Sequence, residues 1–225
     1  MMKKIITISL FFVGCVVYSQ KSFDLMNEGI YSRNFNPELA ISKFDEAISI
    51  NDFSIPKEID EINYLARTYF ERGCCKEKLE KHYEAMKDFT IAIDICIKSK
   101  ALNNIDAYYG RRGHLKMFLK DYNGAILDFK KTYYVFSEEK QYFIGKAYYE
   151  LKNYKEARVR FQKAISLYTS PVTSRGEQYA PSYYYYYLGI CELNLNLMTD
   201  ACNNLRIAGD LGDEDAIKLI VKYCN

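Results

Sequence analysis

The chain has 225 residues, 49% of them hydrophobic and 27% charged, with 31 basic against 29 acidic side chains. That balance excludes a disordered chain and leaves room for one buried domain or a short array of repeats. A net charge of +2 carries no electrostatic footprint for nucleic acid, and with 4 Pro and 11 Gly against 22 Tyr and 13 Phe the choice between helix and strand falls to periodicity.

The N-terminus MMKKIITISLFFVGCVVYSQ sets Lys3 and Lys4 before an apolar run of 13 residues, Ile5 to Val17. This is too short to cross a bilayer as a helix and reads as a secretory signal peptide over residues 1–19. Val17 and Ser19 stand at −3 and −1 from a cut before Gln20. The alternative is a lipoprotein box, Phe12-Val13-Gly14-Cys15, with an acyl anchor on Cys15. The expected location is the periplasm or outer envelope of a bacterium. After removal of the leader, 29 basic residues face 29 acidic ones. Cys74, Cys75, Cys96, Cys191, Cys202 and Cys224 then lie where disulfides are permitted. Six cysteines allow about 15 connectivities, and spacing does not choose among them.

From residue 22 onward one unit recurs. It is weakest first: PELAISKFDEAISI carries Ala40, Phe44, Ala47 and Ile48, with Gly29 and Tyr31 ahead of them one residue out of register. Four gapless copies follow. Gly73 and Ala85, Gly113 and Ala125, Gly145 and Ala157, and Gly189 and Ala201 are each 12 residues apart, and Phe89, Phe129, Phe161 and Leu205 come four residues after each Ala. Connectors between units vary in length. Ala85, Phe89, Ala92, Ile93 and Cys96 have helical period, and Ala157, Phe161, Ala164, Ile165 and Tyr168 repeat it. Small residues on both helices let antiparallel backbones approach while the aromatic fills the space beside them. The Pro/Ser/Gly stretch 170–182 is a loop. In the tail, Asp210, Asp213 and Asp215 lack the Gly and late Glu of a calcium loop. Gly212 instead ends one helix and Asp213 caps the next.

This pattern resembles the tetratricopeptide repeat (TPR), most closely where Gly145, Tyr148, Leu151, Tyr154, Ala157, Phe161 and Ala164 fall in place. The closing Pro is largely missing, Thr132 stands for the second Ala of the third unit, and there is no Trp. The resemblance implies an all-α, right-handed α-solenoid of about five helix hairpins over 20–225, with units near 22–51, 59–98, 102–136, 138–169 and 181–211 and a capping helix over 213–224. It further implies that Phe70, Cys74, Glu77, Gly110, His114, Met117, Tyr142, Lys146, Tyr149, Tyr186, Ile190 and Leu193, with Tyr183, face a concave groove that binds a protein or peptide. The family's Lys/Asn set for clamping a terminal carboxylate is absent.

The run Tyr183 to Tyr187 fits a first helix wedged between neighbours. At about 100° per residue, Tyr185, Leu188, Gly189 and Glu192 face the helix of their own unit and Tyr184, Tyr187 and Cys191 the neighbouring unit. Tyr183, Tyr186, Ile190 and Leu193 then face the groove. On this reading Tyr142, Tyr149 and Tyr186 are dispensable for stability.

Only His82 and His114 offer imidazoles, and no nucleophile–base set, phosphate loop or zinc spacing occurs. No cofactor or metal is expected. Two functions follow: a non-enzymatic interaction scaffold binding a peptide or partner protein, or a structural, lipid-anchored subunit of an envelope assembly.

Overall fold

A computed structural model describes residues 20–50, 59–132, 137–168 and 181–224. The expected leader with Cys15, the unit ends at 51, 133–136 and 169, and most of the 170–182 loop lie outside the described residues. Within them the chain is helical, with turns between helices and no strand. The helices are α1 (20–32), α2 (Pro37–Ile50), α3 (Ile59–Lys78), α4 (His82–Ser99), α5 (Ile105–Phe118) and α6 (Tyr122–Lys131). They continue with α7 (Ser137–Glu150), α8 (Tyr154–Leu167), α9 (Ser182–Asn194), α10 (Met198–Asp210) and α11 (Glu214–Tyr223). The chain divides into two compact units, with the boundary between Arg112 and Gly113 inside α5.

In both units the hairpin is set by one contact. A Cβ built on Gly73 would lie 2.7 Å from the Phe89 ring, on Gly113 2.8 Å from Phe129, and on Gly145 2.8 Å from Phe161. Gly189 stands in the same relation to Leu205, at 2.7 Å, and Gly29 to Phe44, at 2.5 Å. No larger residue fits without moving the ring, so Gly is required by close approach. The rings themselves are 0 to 3% exposed.

The turn between helices repeats as strictly. Glu80, Lys120, Lys152 and Asn196, each seven residues after the Gly, have φ between 57° and 62°. The next amide closes the turn, as when Asp121 N–H donates to Lys116 O (2.8 Å) and Leu197 N–H to Glu192 O (2.9 Å). The first hairpin lacks this left-handed residue: Phe44 follows Gly29 by 15 positions, where Phe89 follows Gly73 by 16. Its turn is one residue shorter, and Asn36 and Pro37 start α2 directly, with Leu39 N–H donating to the Asn36 side chain.

In the N-terminal unit, Met26, Ala40, Phe44 and Cys75 form one core and Leu65, Ala66, Tyr69, Ala92, Ile93, Cys96, Tyr108 and Tyr109 another. Asp88, 2% exposed, takes two bonds from the Arg72 guanidinium (2.9 and 2.6 Å) and one from Lys76 (3.0 Å). In the C-terminal unit Lys116 holds Asp128 at 2.8 Å, while Glu192 receives Arg158 (3.0 Å) and Asn204 (2.7 Å). Such carboxylates tolerate burial because each is paired. At the end, Gly212 has φ +90°, Asp213 caps α11 through Ala216 N–H (2.9 Å), and Cys202 and Cys224 form a disulfide across 5.6 Å between Cα atoms.

The Gly contact makes a prediction opposite to helix propensity. Gly145→Ala should lower stability by about 1–3 kcal/mol through overpacking, although Ala is the better helix former. Phe161→Ala should cost about 3–5 kcal/mol. Urea unfolding followed by circular dichroism measures both, and a stabilised Gly145→Ala variant contradicts the packing described.

Candidate functional site

In the N-terminal unit the expected groove residues are mostly engaged. Phe70 stacks on Tyr108 at 4.6 Å and lies 5.5 Å from Phe89. Glu77 accepts from Arg111 at 2.8 Å. Cys74 is partly buried, and burial pushes its thiol up to about 12. Gly110 faces open space, with no atom within 4 Å of a built Cβ. This unit offers a tied-down surface with little free chemistry.

The C-terminal unit differs. On α5, His114 is exposed, with its ring 5.2 Å from Phe129 and edge-on to Phe143 at 4.2 Å, and Met117 packs beside the Ala125–Phe129 core. On α7, one turn apart, stand Tyr142, Lys146 and Tyr149. The Tyr142 ring lies between 4.9 and 5.9 Å from Phe143, Phe161, Tyr183, Tyr184 and Tyr187. Tyr149 is 5.9 Å from Tyr154 and 5.5 Å from Tyr187. The Lys146 ammonium sits over two rings, 5.3 Å from the centre of Tyr187 and 6.0 Å from that of Tyr142. It makes no ion pair with a described carboxylate. A cation held on aromatic faces in this way keeps its charge available to an incoming anion.

The five tyrosines of α9 divide between packing and surface. Tyr184 is 1% exposed against Ala164 and Tyr142; Tyr187 stacks on Phe161 at 5.5 Å, and Cys191 joins the same core. These three face the preceding hairpin, as their stripe predicts. Leu188 does not follow the expectation: it packs on Ala157 and Phe161 of that preceding hairpin, because a helix wedged between two hairpins presents a face wider than one stripe. Glu192 reaches both neighbours, through Arg158 and Asn204. Tyr183 lies edge-on to Tyr142 at 4.9 Å and is 40% exposed. Tyr186 and Leu193 are partly buried against the Leu205–Ala208–Ala216 core, beneath α11. Ile190 is partly buried.

Two residues outside the expected groove set belong with this surface. Tyr187 carries Lys146 and joins Tyr149 to Phe161; Tyr154 closes the other side of Tyr149. Stripe geometry assigns Tyr187 to packing alone, and only its place opposite the +1 position of the preceding unit could reveal the second role. Tyr142 is revised in the other direction. Its ring is partly buried among five aromatic rings, and burial, with the neighbouring tyrosines, raises its phenol above the ordinary value. Among the described residues no group of three or more metal-ligating side chains converges, and no helix is long and apolar enough to cross a membrane.

Comparison with known proteins places the fold. Residues 141–170, from within α7 through α8, match the family model described as Tetratricopeptide repeat. No curated protein matches the sequence. Among solved structures, YrrB, described as a TPR protein with an unusual peptide-binding site, superposes with a TM-score of 0.65 at 16% identity, over 88% of this chain and 90% of that one. MamA 41-end from Desulfovibrio magneticus RS-1 gives 0.63 at 17% identity over 85% and 94%. The apo form of RapI gives 0.65 at 18% over 88% and 72%. The fold is therefore that of TPR proteins, and residues 141–170 carry the repeat itself.

Packing and surface roles separate by substitution and by pH. Tyr142→Ala should cost about 3 kcal/mol or more as a core truncation, and Tyr149→Ala, at the edge of the platform, less than half as much. Tyr108, Tyr142 and Tyr184 are all harder to ionise in the fold than in the unfolded chain, chiefly because they are buried. A phenol raised in this way contributes stability that is whole below its unfolded value of about 10 and lost as pH climbs towards the folded value. Thermal melts should hold from neutrality to about pH 10 and fall above it; unchanged stability beyond that point contradicts the burial of these rings.

Proposed function

We propose that the protein is a non-catalytic protein–protein interaction module, and that the face of its C-terminal unit formed by Lys146, Tyr149, Tyr183 and Tyr187, on the Tyr142 base, takes an extended peptide segment. The observation that carries this reading is the Lys146 ammonium lying on two tyrosine rings without a carboxylate of its own among the described residues. Rings beside a single cation suit a segment in which an acidic side chain neighbours an apolar or aromatic one. The peptide-binding site ascribed to YrrB supports peptide binding as a use to which this fold is put. Balanced charge speaks for protein rather than nucleic acid.

The test is selection from a displayed random peptide library. Enriched sequences should pair Asp or Glu with an aromatic or branched apolar residue. Lys146→Glu should abolish their binding, and Tyr149→Ala should weaken it by about 2 kcal/mol, with the melting temperature of Lys146→Glu close to that of the parent. Enrichment of basic peptides, or binding indifferent to Lys146, overturns the reading.

We further propose that the protein works outside the cytoplasm. The Lys3-Lys4 start and 13-residue apolar run support this, and the Cys202–Cys224 disulfide adds an independent reason, since such bonds persist in oxidising compartments. Mass measurement of protein recovered from its host should find Gln20 at the N-terminus. An acylated Cys15 establishes the anchored form instead, and an intact Met1 refutes both.

A further inference from the structure

Both ends of the repeat series expose the kind of surface that its interior seams bury. Within the C-terminal unit, α9 receives the preceding hairpin through Tyr184, Leu188 and Cys191, which stand at −5, −1 and +2 from Gly189 and are 0 to 4% exposed. The same positions counted from Gly29 on α1 are Asp24, Glu28 and Tyr31, and no described residue covers them. Here the receiving face is open: Tyr31 is 79% exposed, Phe35 66% and Leu39 44%, around a shallow cavity of about 530 Å³. Tyr31 and Phe35 are already arranged edge-to-face at 5.4 Å. Asp24 and Glu28, one helical turn apart, rim this surface with two carboxylates against the single ammonium of Lys43, which pairs with Glu28.

At the other end, α11 covers Leu205 and Ala208 with Ala216, Leu219 and Ile220 but turns an apolar edge outward. Ile217 is 48% exposed, Val221 65% and Tyr223 41%. A helix that only terminates an array needs a polar outer face, and this one mixes those residues with Lys218 and Lys222, again one turn apart. Lys222 lies over the Tyr223 ring at 4.7 Å, and Lys218 is hydrogen-bonded to the exposed Asp215 at 2.8 Å, with Glu214 nearby. On α1, among the described residues, the Asp24 side chain is bound by the Gln20 amide and that of Glu28 by the part-exposed Lys43. Exposed pairs of this kind exchange at little cost.

We propose that the protein associates head to tail with a second copy of itself, α11 of one copy seating on the open α1–α2 face of the next. The apolar pair Ile217/Val221 meets Tyr31 and Phe35, and Lys218/Lys222 meets Asp24/Glu28, each pair having the same one-turn spacing of about 6 Å. The match continues a chemistry already used inside each unit, where hairpins are joined by buried apolar groups and an ion pair: Arg72 to Asp45 in the first, Arg158 to Glu192 in the second. Because the two surfaces differ, the contact is heterologous and propagates. Its small size puts it among weak, concentration-dependent associations.

The test is sedimentation velocity on protein recovered after export, at rising concentration and low salt. The parent should shift from monomer to a series of larger species, and added salt should reverse the shift. Asp24→Lys/Glu28→Lys and Lys218→Glu/Lys222→Glu should each raise the apparent dissociation constant at least about tenfold. Mixed together, the two variants should assemble in alternation at the concentrations where each alone is monomeric, since their reversed faces match each other as their unreversed faces do. The chain carrying all four substitutions should associate like the parent, which also shows that the reversals leave the fold intact. A parent that stays monomeric throughout overturns the proposal. So does a mixture that stays monomeric, or association lost through the α11 reversals alone, which describes a symmetric α11–α11 dimer.

Discussion

The closest approach of two helices, glycine against an aromatic ring, is the constraint on which the rest of this protein depends. At Gly73, Gly113 and Gly145 a single added carbon would lie within 3 Å of a phenylalanine ring that is itself almost wholly buried. That contact fixes the distance between the helices of a hairpin. The left-handed residue seven positions on fixes the angle of the return. Once both are set, the second helix must present its small residues and aromatic inward, and what remains of the first helix is free to face its neighbours.

How hairpins meet then follows from the leftover faces. Aromatic rings bridge successive first helices, Phe70 to Tyr108 in one unit and Tyr142 to Tyr184 in the other, three residues before one Gly and five before the next. Fully paired carboxylates, Asp88 and Glu192 among them, give the meeting a register that apolar contact alone leaves loose. In the N-terminal unit this exhausts the available chemistry, with Glu77 tied to Arg111. In the C-terminal unit it leaves an ammonium on a bed of tyrosines. The proposed binding face lies where the packing pattern uses lysine at a position that elsewhere holds Cys74, His114 or Ile190.

The architecture was legible because its determinants are local and repeated. A Gly, an Ala twelve residues on and an aromatic four further state the hairpin within one short window, and even the shortened first turn showed as a one-residue slip between Gly29 and Phe44. The Cys202–Cys224 pair was not legible, since it depends on where α11 folds back. Nor was the division of labour among the tyrosines. Helical angle separates stripes but not surroundings, and Tyr142 and Tyr149 share a stripe while one ring meets five others and the other only two. Tyr187 escaped for the same reason: its second role exists only because Lys146 of the preceding hairpin reaches over it.

The central claim is that binding resides on this lysine–tyrosine face. Its most direct test is nuclear magnetic resonance of the protein, with labelled Lys side chains and Tyr rings and labelled Leu and Val methyls, titrated with a short peptide carrying an acidic residue beside an aromatic one. The account predicts that the Lys146 signals and the rings of Tyr149, Tyr183 and Tyr187 shift together and saturate on one curve, while the exposed Leu127 and Val159 on α6 and α8 stay in place. Saturable shifts confined to those outer residues, with Lys146 unmoved, would contradict it.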